Sequence, residues 1–189
     1  MKMSQIKVKQ FKSLPRQKGV TLIELVVGAV IVALALAALV GVINALRGDG
    51  KTSAEIDRLN LGFEKALGYL ATSQDTSAIS NDIVIRNGGV AADAISMPST
   101  IKTKFGGTTV YAPASLNSPN DAVSATQTNI DEKNCLNYVK AQGASFARTT
   151  VNGQVVKDVT DTVVKDAALS AACANTAAGN TVEFVRLKS

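Results

Sequence analysis

Three side chains in this 189-residue sequence combine a reactive type with telling surroundings: the carboxylate of Glu24 and the thiols of Cys135 and Cys173. Glu24 stands at the N-terminal edge of an uncharged run from Leu25 to Leu46, where Asn44 is the only strongly polar residue. Val20, Thr21, Leu22 and Ile23 carry that uncharged surface back on the other side of it. A carboxylate in or beside a membrane-spanning segment costs roughly 3 kcal/mol unless it is paired, so its presence there is a functional signal. The chemistry it points to is ion pairing. Solvation at headgroup depth, on an ordinary single-pass anchor, is the alternative.

Other chemistry is poorly supplied. The chain has no His and no Trp, so the nucleophile-plus-imidazole arrangements of hydrolases lack a member. Metal ligation would fall to scattered carboxylates, which show no calcium-loop spacing, or to the two cysteines. Phe105-Gly106-Gly107 lacks the Lys-Ser/Thr and following helix of a phosphate-binding loop. The expectation is a protein that is not an enzyme and needs no cofactor, metal or small-molecule substrate.

The element that must position Glu24 is the apolar run. As a helix, its 22 residues would reach ~33 Å, enough to cross a hydrocarbon core of about 30 Å. The net charge of +5 is unevenly spread. Lys2, Lys7, Lys9, Lys12, Arg16 and Lys18 precede the run without an acid, and the rest of the chain holds 14 basic against 15 acidic residues. The basic character therefore belongs to the N-terminus, where it follows the positive-inside rule and holds that end in the cytoplasm. With the remainder near neutral and its aromatics not interleaved with basic residues, nucleic-acid binding is not expected. Two cysteines in an exported domain read as one disulfide, closing a 38-position loop worth roughly 4 kcal/mol. Two buried free thiols are the other reading.

Gly19-Val20-Thr21-Leu22-Ile23-Glu24-Leu25-Val26-Val27 resembles the class III signal of type IV prepilins. In that family a basic leader ends in Gly, a prepilin peptidase cuts after it, and the fifth mature residue is Glu within a long apolar helix. The resemblance implies cleavage between Gly19 and Val20 and N-methylation of Val20. It also implies an assembly role for Thr21, Leu22, Ile23 and Glu24, whose carboxylate meets the Val20 amine of a neighbouring subunit. Removing one partner of a buried pair costs about 3 kcal/mol or more, so such a pair acts as a register device. An ordinary secretory signal discards its apolar region; here the cut precedes it, so the helix stays.

The resemblance further implies the type IV pilin fold, an α+β architecture. A long N-terminal helical spine packs on an antiparallel sheet in a C-terminal head. Residues 1–19 are the leader, 20–47 the membrane and filament-core helix, 48–72 the amphipathic half of the spine, and 73–189 the head. Residues 135–173 then form the disulfide-bounded region of pilin heads. The expected function is the major subunit of a type IV pilus that serves adhesion or aggregation. A minor pilin, a type II secretion pseudopilin or a DNA-uptake pilin is the alternative. Implied partners are identical subunits, the prepilin peptidase, an inner-membrane assembly platform and an assembly ATPase. The precursor lies in the bacterial inner membrane with its head periplasmic, and the assembled form is extracellular.

Along the head, Ile56, Leu59, Phe63, Leu67 and Leu70 recur at helical spacing, with Glu55, Asp57, Arg58, Glu64 and Lys65 largely off the stripe. This predicts an amphipathic helix over 52–71. Residues 72–100 read as a polar loop with ordered patches at 83–85 and 91–97. A strand is expected after Gly106-Gly107 and a helix over 131–142, capped by Asn129 or Asp131. A hairpin should turn at Asn152-Gly153. A short helix is expected within 162–173, and a closing strand over 181–187. The 19-residue leader and the Val at the mature start are closer to the type IVb subclass.

Overall fold

The apolar stripe winds residues 50–69 into a helix, α1, in the computed structural model, which describes residues 50–71, 75–96, 98–173 and 177–188. Leu59, Phe63, Ala66 and Leu70 are buried along one side of α1, and Ile56 and Leu67 pack partly against the same core. The other side stays wet: Leu61 and Tyr69 are exposed. An amphipathic helix of this kind owes its stability to tertiary burial more than to propensity.

The chain then runs through α2 (Asn81–Arg86), a 3-10 turn at Ala92–Ala94, β1 (Ile95–Ser96), β2 (Thr100–Lys102), β3 (Thr108–Ala114) and β4 (Ala122–Ile130). There follow α3 (Glu132–Gln142), β5 (Arg148–Val151), β6 (Gln154–Lys157), α4 (Asp166–Ala172) and β7 (Asn180–Leu187). The strands form one seven-stranded sheet in the order β1-β2-β3-β4-β7-β5-β6, antiparallel at every pairing. The last strand is therefore central. It slots between β4 and the β5–β6 hairpin and stitches the two parts of a discontinuous sheet together.

Alternation fixes which side of the sheet is the core. Tyr111, Ala125 and Phe184 are register partners on three adjacent strands, and all belong to the buried cluster with α1. Their neighbours one step along, such as Val110 and Glu183, point the other way and are not part of it. Six aromatic rings run through the core in one chain. Phe105 meets Tyr138 at 5.4 Å, Tyr138 meets Phe184 at 5.3 Å, and Phe184 meets Phe146 at 4.8 Å. Phe146 then meets Phe63 at 5.0 Å, and Phe63 meets Tyr111 at 5.7 Å. Tilted and edge-on rings at these separations suit the aromatic quadrupole, and the chain links α1, α3, β3 and β7 in one packing unit.

Three sequence expectations need correction. The stretch 72–100 holds more than loop: α2 covers the expected patch 83–85, the 3-10 turn and β1 fall within the expected patch 91–97, and β2 starts at its end. Asn81 of α2 replaces a missing strand partner of β3: its Nδ2 donates to Thr109 O at 3.0 Å, and its Oδ1 accepts from Tyr111 N at 2.7 Å. Second, nine-residue β4 had no forecast at all. Third, Glu55 does not lie off the buried stripe; it is 2% exposed.

Candidate functional site

Cys135 sits one turn into α3, which starts where Asp131 accepts from Asn134 N at 3.0 Å, an N-cap of the usual kind. Of the two cap candidates, it is Asp131 that serves. Cys173 caps the C-terminus of α4. The two are joined by a disulfide with Cα atoms 5.9 Å apart, inside the range such a bridge needs, so the free-thiol alternative is set aside. Both half-cystines are buried. The bridge ties α3 to α4 around the β5–β6 hairpin, whose Asn152 and Gly153 turn at φ of 49° and 82°. Positive φ at both central turn residues matches the twist of a two-residue hairpin.

A second constellation lies where α1 meets the sheet. Glu55 Oε2 accepts from Lys104 N at 2.8 Å, and its Oε1 accepts from Gln127 Nε2 at 2.7 Å. The same Gln127 nitrogen donates to Thr109 Oγ1 at 3.1 Å. One carboxylate on α1 thus holds the β2–β3 turn and the middle of β4. Burial pushes the Glu55 carboxyl above its ordinary value, opposed by the Lys104 N–H, the Arg58 charge, the Gln127 amide and the Lys104 charge. Outside this pocket Asp93 joins Arg58 at 2.5 Å and Lys104 at 3.1 Å. Hydrogen bonds from Lys104 and then Arg58 hold the exposed Asp93 below the usual carboxylate range.

Arg186 closes the other end of the seam. Its guanidinium lies 4.6 Å from the Phe146 ring centre and 5.1 Å from that of Phe63. Its Nη2 donates to Asn60 Oδ1 at 3.2 Å. Burial lowers the pKa of this half-covered cation. Arg over aromatic faces is the favoured form of cation–π contact, and here it fastens β7 to α1.

These arrangements fasten elements together and bring no nucleophile to a base. Among the described residues no group of His, Cys, Asp or Glu is placed to hold a metal ion. No helix among them is long and apolar enough to cross a membrane. Gly19, Val20, Thr21, Leu22, Ile23 and Glu24, with the apolar run from 25 to 46, lie outside the described residues. Sequence reading found Cys135 and Cys173, which the structure brings together. It missed the binding role of Glu55, Gln127 and Arg186. A Glu one position before Ile56 of the stripe, with Gln127 in a strand of small residues, was the available signal.

Residues 14–40 match the family described as the prokaryotic N-terminal methylation motif, and residues 51–187 match the family described as PilS N terminal. No curated protein sequence matches the chain. A type IVb pilin from Salmonella typhi shares the fold at a TM-score of 0.53 and 18% identity, over 71% of this chain and 99% of the other. TcpA, a type IV pilin from Vibrio cholerae El Tor biotype, does so at 0.53 and 17%, over 72% and 99%. The helix-on-sheet head and the N-terminal motif agree with these likenesses. The chain thus belongs to the PilS N-terminal family and is a type IV pilin whose head has the fold seen in type IVb pilins.

Proposed function

We propose that this pilin is the major structural subunit of a type IV pilus. It is made as an inner-membrane precursor with a cytoplasmic leader, residues 1–19, and a periplasmic head. Prepilin peptidase cuts between Gly19 and Val20, and Val20 becomes N-methylated. Residues 20–47 anchor the subunit in the membrane and then pack into the filament core, with 48–72 continuing the spine and 73–189 facing outward. Glu24 pairs with the Val20 amine of a neighbour, while Thr21, Leu22 and Ile23 complete the apolar contact. Identical subunits join head to tail, which gives an open filament. An assembly platform and a cytoplasmic ATPase drive the process, and the chain itself performs no catalysis and uses no cofactor. The finished filament acts outside the cell in adhesion or aggregation.

The observation that carries this reading is the N-terminal methylation motif over 14–40, in register with an acid at Glu24 and followed by an uncharged run. The test is Glu24→Ala in the native host. Cleavage of the leader should persist while the yield of sheared filaments collapses; wild-type filament yield would contradict the pairing role. Abundance decides the rank of the subunit. A dominant band in sheared filaments makes it the major pilin, and trace amounts make it a minor pilin or pseudopilin.

A further inference from the structure

Asn87-Gly88 and Asn152-Gly153 are both asparagine–glycine pairs, and both glycines have positive φ, 71° and 82°. Such a pair can react with itself, because no side chain shields the nitrogen that follows the asparagine. The glycine nitrogen attacks Cγ of the asparagine. An N–Cγ bond forms as the Cγ–Nδ2 bond breaks, and Nδ2 leaves as ammonia with the proton from the attacking nitrogen. Water then opens the cyclic imide at either carbonyl. One opening gives aspartate, the other isoaspartate with the backbone rerouted through Cγ. Water is the only co-reactant.

The fold treats the two pairs very differently. Asn152 Nδ2 donates to Ala172 O at 2.9 Å and to Asn180 Oδ1 at 2.8 Å, while its Oδ1 accepts from Thr181 N at 2.9 Å. Its own backbone N donates to Thr181 O at 2.8 Å. The amide is thus fully engaged by β7 and by the end of α4. Those anchors are themselves held. Ala172 immediately precedes the bridged Cys173, and Asn180 Nδ2 donates to the buried Ile130 O at 2.9 Å. Both asparagines are exposed, but the Asn87 side chain has a single bond, from Nδ2 to Ile83 O at 2.8 Å. It caps a six-residue helix whose last turn is closed by Asn87 N to Ile83 O at 3.1 Å, Gly88 N to Ile85 O at 3.0 Å and Gly89 N to Val84 O at 2.9 Å, so the attacking Gly88 nitrogen is freed when that single turn opens.

We propose that Asn87 is a self-modification site of the folded head, converting through Gly88 to aspartate and isoaspartate, whereas Asn152 is protected by β7 and by the end of α4 that the Cys135–Cys173 bridge holds in place. Conversion at 87 puts a negative charge, or a backbone kink, at the exit of α2. The surface there is shared with Glu64, Lys65 and Tyr69 of α1.

The test ages the full chain in detergent at mildly alkaline pH, disulfide intact, beside a sample unfolded in urea. Peptide mapping by mass spectrometry and enzymatic methyl-labelling of isoaspartate follow both sites. The unfolded sample supplies each site's intrinsic rate, which removes the influence of neighbouring residues. Folding should slow Asn152 by roughly tenfold to a hundredfold, the cost of opening three hydrogen bonds, and Asn87 by far less. Reducing the bridge in native buffer should loosen the Ala172 contact and restore part of the lost rate at 152, while the β7 contacts keep the rest. Equal protection at the two sites, or a rate at 152 unchanged by reduction, would overturn the proposal.

Discussion

Gln127, in the middle of β4, donates from Nε2 to the carboxylate of Glu55 on α1 across 2.7 Å. Both side chains are buried, and they are 72 positions apart in the chain. Gln127→Leu keeps the volume but takes away a donor from a buried acid. The expected loss is about 1–3 kcal/mol of head stability, read as a lower urea midpoint. An unchanged midpoint would mean that Glu55 leans on Lys104 N alone.

Stability should also respond to mild acid through Glu55. Its pKa is raised in the folded state from an ordinary 4.5, so between that value and the native one the folded protein binds more protons than the unfolded chain. By linkage this contribution is fully present below the unfolded value and is lost as pH rises through the native value. Asp75, Asp93, Asp121 and Asp161 act oppositely. Their pKa values are lowered from 3.8, so their contribution fades as pH falls below that range. Melting curves from neutral pH downward should therefore rise before they fall. In Glu55→Gln the rise should vanish while the acid loss remains.

Gly62 lies on the buried side of α1, where an added Cβ would run into the hydroxyl and ring of Tyr111. That ring is 4% exposed and packed edge-on against Phe63, so it has nowhere to move. In an open helix Gly→Ala gains about 1 kcal/mol; here overpacking of about 1–3 kcal/mol opposes it. Gly62→Ala should come out destabilising in thermal melts, while Gly68→Ala, with open space around it, should stabilise. A gain at both sites would contradict the packing described for α1.

Cys135→Ser opens a loop of 38 positions and should cost roughly 4 kcal/mol on the loop-entropy estimate. Calorimetry of oxidised wild type and variant measures it. A shared melting temperature would mean that α3 and α4 stay docked without the covalent link.

What could be read from sequence was whatever local chemistry dictates. The hairpin followed from Asn152-Gly153, α3 from its cap and period, and α1 from its stripe. β7 was legible as a strand from alternating Val182, Phe184 and Arg186, although its central place depends on partners far away in the chain. β4 was not legible because Ala122-Val123-Ser124-Ala125-Thr126-Gln127 carries few of the branched or aromatic residues that mark strands. Its small residues suit a central strand: Ala125 lies between Tyr111 and Phe184, where a larger side chain would not fit. Glu55 was misread for a related reason. Helical periodicity assigns charges to the solvent side and cannot see a buried amide waiting on another element.

The central claim is that the apolar N-terminal segment is retained in the mature subunit and begins at a new, methylated terminus. Intact-mass and N-terminal fragment analysis of filaments sheared from the cell surface tests it most directly. The account predicts a first residue of N-methylated Val20, with Glu24 fifth. A subunit that still begins at Met1, or one that starts beyond Leu46, would contradict it.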